Sequence, residues 1–401
     1  MPSDTASETR PLGTRTLVAL CVLNHTALAG GRVALALQAL SLGMSSLALG
    51  LLLAPFALTS TLCSLPFGRW VDRVGARVPA LAGMATSSLG LALGAWQPGP
   101  AGLVGAAVLV GLGYTAALIA LQSELARDRD EAARATGFSA FAIGTAASGG
   151  LGPFIAGQCA AHAGARVAFA VLAAISLAST LAGALRARRL GSRPQAAAPM
   201  LSRQAGTWAL TRGNGGLRRI LFADLLMAFA WNANGFVVPL LGERHHWPAD
   251  TVGNLLATFG IAVMLVRTVP AGWRARGGDW PTIGRAIVAS GCVLALLPFA
   301  AWTPAPYLLE LLLGCGLGCA LPAVLALVHA QTPPGRAAEI LGLRQAVLSL
   351  GAATLPTGLG ALIAAAGLAG ALGGFGGTLL AAAATIVPRA ARQPARAVDR
   401  R

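Results

Sequence analysis

Apolar residues run along most of this chain in long unbroken blocks, and charged residues fall almost entirely between them. Twelve blocks approach or exceed the roughly 20 residues a helix needs to cross a bilayer. They cover 16–40, 47–67, 78–96, 100–122, 136–158, 166–187, 219–241, 251–271, 282–301, 306–330, 340–364 and 367–387. The blocks lack the two-residue alternation of a barrel strand, and a segment inside lipid must satisfy its own backbone polar groups. Each therefore predicts a transmembrane α-helix.

The longest connection joins the sixth and seventh blocks and is rich in Arg, Ala, Gly and Pro. It divides the chain into a tail (1–15), a first six-helix bundle (16–187), a linker (188–218), a second bundle (219–387) and a basic tail (388–401). The halves resemble each other. Pro66-Phe67-Gly68-Arg69-Trp70 returns loosely as Pro270-Ala271-Gly272-Trp273-Arg274, and Glu131 to Gly137 resembles Arg336 to Gly342. The second copy has Arg276 where the first has Asp72.

Composition narrows the class. Only 11% of the 401 residues are charged, far below the roughly 25% of a soluble domain. The formal net charge of +16 is spread over many short loops, which argues against a nucleic-acid surface. All thirty basic residues are Arg. They concentrate in alternate loops, so the positive-inside rule places both termini in the cytoplasm. The basic linker is a solvated segment, or a surface for anionic lipid headgroups. Met1 to Leu12 is polar and the first apolar block outruns a signal-peptide core, so the first helix is expected to be its own insertion signal. Six cysteines sit mostly inside apolar blocks with no metal-ligand spacing, and His245 and His246 beside Glu243 and Asp250 read as a solvated loop. No metal or cofactor is predicted.

Between the second and third blocks stands Gly68-Arg69-Trp70-Val71-Asp72-Arg73-Val74-Gly75-Ala76-Arg77, a G-x-x-x-D-R-x-G-x-R pattern. It resembles the cytoplasmic signature of major facilitator superfamily transporters. Gly68 suits close packing of a helix end, Asp72 can pair with an Arg or a helix N-terminus, and Gly75 suits a turn at positive φ. Arg73 and Arg77 hold the loop on the cytoplasmic side. The resemblance implies two pseudo-symmetric six-helix bundles, with a gate at this motif. It also implies a bacterial inner-membrane protein that works as a monomer.

Gly149-Gly150-Leu151-Gly152-Pro153-Phe154-Ile155-Ala156-Gly157 resembles the fifth-helix Gly-Pro motif of proton-coupled exporters in that superfamily, with Ala156 in place of a glycine. Gly149, Gly152, Pro153 and Gly157 carry the match. A generic small-residue packing face is the alternative. In the fourth block, Gly111-Leu112-Gly113 is preceded by Ala107 where drug–proton antiporters have an Arg.

Ionisable and polar residues inside the blocks are the remaining candidates. His25 and Arg32 lie seven residues apart on one helical face, next to Asn24. That face either meets an anionic group or a proton in a central cavity, or leaves Arg32 to snorkel to the interface. Trp231, Asn232 and Asn234 offer an indole and two amides to a polar substrate, or to a neighbouring helix. Asp224 approaches the same side as Arg267 and Arg344, which predicts an ion pair, structural or gating. Glu310 lies about one turn inside the tenth block, as a proton-carrying carboxyl or an interfacial one.

No phosphate-binding loop or catalytic constellation is present. The expectation is a secondary transporter and no enzyme: proton-coupled efflux of small organic compounds. The alternative is uptake or exchange of a small organic anion anchored by intramembrane Arg.

Overall fold

The computed structural model describes residues 12–126, 131–187, 190, 213–269, 278–300, 304–332 and 337–386. Among them run α1 (Thr14–Ser41), α2 (Ser46–Val74), α3 (Arg77–Trp96), α4 (Pro100–Leu125), α5 (Glu131–Ala163) and α6 (Ala165–Leu185). The second half supplies α7 (Gly215–Arg244), α8 (Ala249–Thr268), α9 (Asp279–Leu296) with a 3-10 turn Leu297–Phe299, α10 (Ala305–Gln331) and α11 (Ala337–Ile386). Eleven of these helices, among the described residues, are long and apolar enough to span a membrane. The last holds two spans: Gly367, at φ 71° and ψ 165°, interrupts α11 where the sequence breaks between 364 and 367. That backbone region is open essentially to glycine alone.

Local chemistry sets several ends. The Ser45 hydroxyl accepts from the Ala48 amide and caps α2, and the Asn214 side chain accepts from the Leu217 amide at 3.0 Å and caps α7. Pro100 opens α4, where its missing amide proton is not needed. The largest departure at any one end is in α2, which continues to Val74, so most of the 68–77 motif is helix and only Gly75 and Ala76 turn the chain. Two more turns are tolerated there because the helix projects past the apolar layer with Arg69 and Arg73 exposed.

The architecture is two six-span bundles. Within the first, α3 packs on α4 and α6, α1 on α5, and α2 on α4; within the second, α8 and α9 pack on α10, and α7 and α9 on α11. The main contacts that join the bundles among the described residues are α5 with α8, α2 with α11, and α1 with α7. In lipid, helices gain little by burying apolar surface against each other, so small residues that permit close van der Waals contact set these joints. Accordingly Gly50 of α2 abuts the backbone of Pro356, and the Ser46 hydroxyl donates to the Gly360 carbonyl at 3.0 Å. The repeat partners Pro270 to Arg274 and Arg276, Arg336, most of the central linker (188–189 and 191–212) and the basic tail lie outside the described residues.

Candidate functional site

Helix α1 touches every other helix of its bundle and also α7. A helix ringed in this way has little surface left for lipid, and its midsection residues His25 and Arg32 are half-buried. Arg32 makes no hydrogen bond or ion pair among the described residues. His25 is held: Nδ1 lies 2.7 Å from the Ser148 hydroxyl of α5, and that hydroxyl lies 3.0 Å from the Thr145 carbonyl. The Ser148 hydroxyl can donate to that carbonyl or to the imidazole, so the ring can act as donor or acceptor at Nδ1 according to its tautomer. Tyr114 of α4 stands beside the imidazole, its ring centroid 5.7 Å from that of His25. A Cβ at Gly149 would meet only the imidazole, at an ordinary contact distance of 4.0 Å, so this corner has room for one. Asn24 belongs elsewhere. It is 2% exposed, so it packs in the helical core and does not line the space between the bundles.

In the second bundle α1 touches α7. Trp231 is half-buried and meets Phe259 of α8 edge to face, 4.8 Å between centroids. Asn232, also half-buried, donates to the Ala228 carbonyl at 2.8 Å, leaving its amide oxygen for another group. Asn234 is 1% exposed and donates from Nδ2 to Glu310 Oε2 at 2.8 Å. Its Nδ2 is thereby engaged, while its Oδ1 is buried. Glu310 has no exposed surface, which overturns an interfacial carboxylate; α7, α8 and α9 all pack around its helix.

Asp224 pairs with Arg344, Oδ2 to Nε at 2.6 Å, tying α7 to α11 inside the second bundle. Arg267 does not join them. Its guanidinium donates to the Ala142 carbonyl of α5 at 3.1 Å, across the bundle boundary. The same boundary carries Gln158 of α5, which donates to Asn254 of α8 at 3.1 Å.

The α5 motif is split between two neighbours. Gly152 fits against Gly30 of α1, so close that a Cβ there would sit 2.6 Å from the Gly30 nitrogen. Gly150, Pro153 and Gly157 turn to α8, where Gly260 and Gly253 meet them backbone to backbone. In the α2–α3 motif Gly75 takes φ 81° and ψ 172°. Asp72 is half-buried and makes no hydrogen bond or ion pair among the described residues. A Cβ at Gly68 would meet nothing within 4 Å, so the close packing expected of it is not present in this conformation; Arg73 is exposed and Arg77 half-buried.

Sequence reasoning missed Tyr114, Ser148, Phe259 and the Gln158–Asn254 bridge. Tyr114 carried a signal, as one of two tyrosines in the chain and inside an apolar block. Ser148 carried none.

Comparison with known proteins adds a family. The sequence model of the Major Facilitator Superfamily matches residues 17–356. A tetracycline resistance protein, class E, of Escherichia coli is 28% identical over 319 residues, covering 75% of this chain and 73% of that protein. Among solved structures, a nucleoside transporter superposes with a TM-score of 0.78 at 16% identity, over 95% of this chain and all of the other. A peptide transporter in complex with sulfate gives 0.75 at 14% identity, over 96% of each chain.

Proposed function

The chain belongs to the major facilitator superfamily, and from that premise we propose that it exports small organic compounds in exchange for protons. It is a multi-pass membrane transporter and not an enzyme. The proposal has the two bundles rock about the space lined by His25, Arg32, Tyr114, Trp231 and Asn232, exposing it to each side in turn.

One observation carries the export reading. The glycine–proline stretch of α5, which resembles the exporter motif, lies on the boundary between the bundles, with Gly150 and Gly157 set against Gly260 and Gly253. Helices that touch through glycines at a moving boundary can separate and close again without repacking large side chains. The likeness to a tetracycline resistance protein supports a small organic cargo. The accompanying assignments are a bacterial inner membrane, cytoplasmic termini, a monomer in contact with lipid, and bundles bounded at 16–187 and 219–387.

The test is cargo-triggered collapse of a pH gradient in everted vesicles, across lipophilic drugs, sugars and carboxylates, with Asp72→Asn as control. Export requires that a drug-like compound release the gradient through wild type and not through the variant.

A second reading, uptake or exchange of an organic anion, is favoured by Arg32, a half-buried cation with no counter-ion among the described residues. Labelled carboxylate moving without protons would establish it in place of export.

A further inference from the structure

Glu310 and Asn234 form a polar pair with one piece missing. The amide Nδ2 donates to Glu310 Oε2, while the other oxygen of each group, Glu310 Oε1 and Asn234 Oδ1, is buried with no partner. With the carboxyl ionised, both orphan atoms are acceptors, and no donor reaches them among the described residues. No cation among the described residues pairs with the carboxyl either. Of the titratable groups on the surrounding helices, Arg218, Arg219 and Asp224 on one side and Glu243 and Arg244 on the other are at least nine residues from Asn234 on α7, roughly 13 Å along the helix. Asp250 and Arg267 sit at the two ends of α8, and Asp279, Arg285 and Cys292 belong to α9. On α10 Tyr307, one turn back, is the nearest, with Cys315, Cys319 and His329 further along. None of them is within hydrogen-bond or ion-pair distance of Glu310. An ionised carboxylate in that setting is the least favourable state a buried side chain can adopt.

One proton on Oε1 removes the charge and turns an orphan acceptor into a donor. We propose that Glu310, held by Asn234, is the proton-binding site of the exchange, and that it is occupied in this conformation. This rests on the proton-coupled reading above. When the bundles rock and water reaches the pair, the O–H bond of Glu310 breaks and the proton passes to water. The carboxylate that remains is still held by the Asn234 amide, and reloading reverses the step. The site is placed to sense cargo. Asn234 follows Trp231 and Asn232 by less than one helical turn, so a ligand that shifts the interior wall of α7 shifts the amide that holds the carboxyl.

The experiment needs no identified cargo. Infrared difference spectra of the purified full chain in lipid vesicles, between neutral and strongly alkaline buffer, are compared for wild type, Glu310→Gln and Asn234→Leu. The expected result is a carboxylic-acid carbonyl band in wild type at neutral pH, lost in Glu310→Gln and moved to higher frequency in Asn234→Leu, which lacks the amide donor. Should either variant fail to fold, dicyclohexylcarbodiimide labelling of wild type, mapped by mass spectrometry, reads the same property, since the reagent attacks protonated carboxyls in apolar surroundings. Absence of both the band and the label from Glu310 overturns the proposal, as does a band unchanged in Glu310→Gln. A wild type that carries the band, yet moves compounds of the vesicle panel with no pH change, overturns the coupling reading itself and this role with it.

Discussion

Gly157 of α5 and Gly253 of α8 meet backbone to backbone: a Cβ at Gly157 would lie 2.7 Å from the Cα of Gly253, and one at Gly253 would lie 2.9 Å from the Cα of Gly157. Neither position accepts a larger residue while the boundary is closed. Overpacking a close contact costs about 1–3 kcal/mol, and here only conformations with the boundary closed bear it. Gly157→Val should therefore shift the population toward the parted form by roughly tenfold, each 1.4 kcal/mol being about tenfold. Labelling of the half-buried Cys159 by a membrane-impermeant maleimide should rise, and transport should fall. Unchanged labelling together with unchanged transport would show that the bundles do not separate along this line.

The Asp224–Arg344 pair predicts non-additivity. The two side chains are 6% and 12% exposed. Removing Arg344 alone strands a buried carboxylate, at about 3–5 kcal/mol for such a loss, while neutralising both leaves no orphan charge. Arg344→Ala should lower the melting temperature of the detergent-solubilised protein more than Asp224→Asn combined with Arg344→Gln. Equal or additive losses would mean that the pair does not act as a unit.

Reading the chain alone reached the fold further than the site. Each apolar block became a helix because the bilayer allows a long apolar segment no other solution, and Gly367 broke α11 where the pattern broke. The side chains were harder, because a span has several faces and periodicity does not say which neighbour each one meets. Asn234 and Glu310 were both conspicuous as polar residues in apolar blocks, but 76 residues separate them and only the packing of α7 on α10 joins them. Arg267 and Arg344 looked alike as partners for Asp224; helix rotation gives Arg344 to it and turns Arg267 to the Ala142 carbonyl. The glycines of α5 signalled close contact without revealing that the contact crosses the bundle boundary.

The α2–α3 motif should separate stability from transport. Gly75 occupies a backbone region that other residues enter at about 1–3 kcal/mol, so Gly75→Ala should lower the melting temperature. Asp72 has no partner among the described residues, and Asp72→Asn should leave the melting temperature unchanged while transport falls, because the lost interaction belongs to another conformation of the cycle. Thermal melts and transport assays on the same preparations test both. A destabilised Asp72→Asn would show that the side chain already works in the conformation described.

Arg32 gives the sharpest division between cargoes. Under the organic-anion reading its charge faces the interior, and with no partner among the described residues a cargo carboxylate entering that space would supply the missing counter-ion. A hydrogen bond to a charged group contributes about 1.5–3 kcal/mol, which is roughly 10- to 150-fold in affinity. Arg32→Gln should weaken binding of aromatic carboxylates by that factor and leave their uncharged amides unaffected, as measured by displacement of tryptophan fluorescence from Trp231 with the other tryptophans replaced. Arg32→Lys should keep part of the preference, because it retains the charge but loses the planar fork that grips both carboxylate oxygens. If acids and amides weaken equally, Arg32 shapes the space without reading charge, and the organic-anion reading loses its only anchor. If acids alone weaken while protons still move with drug-like cargo, export extends to acidic compounds, and direction is then set by the proton gradient acting elsewhere in the second bundle.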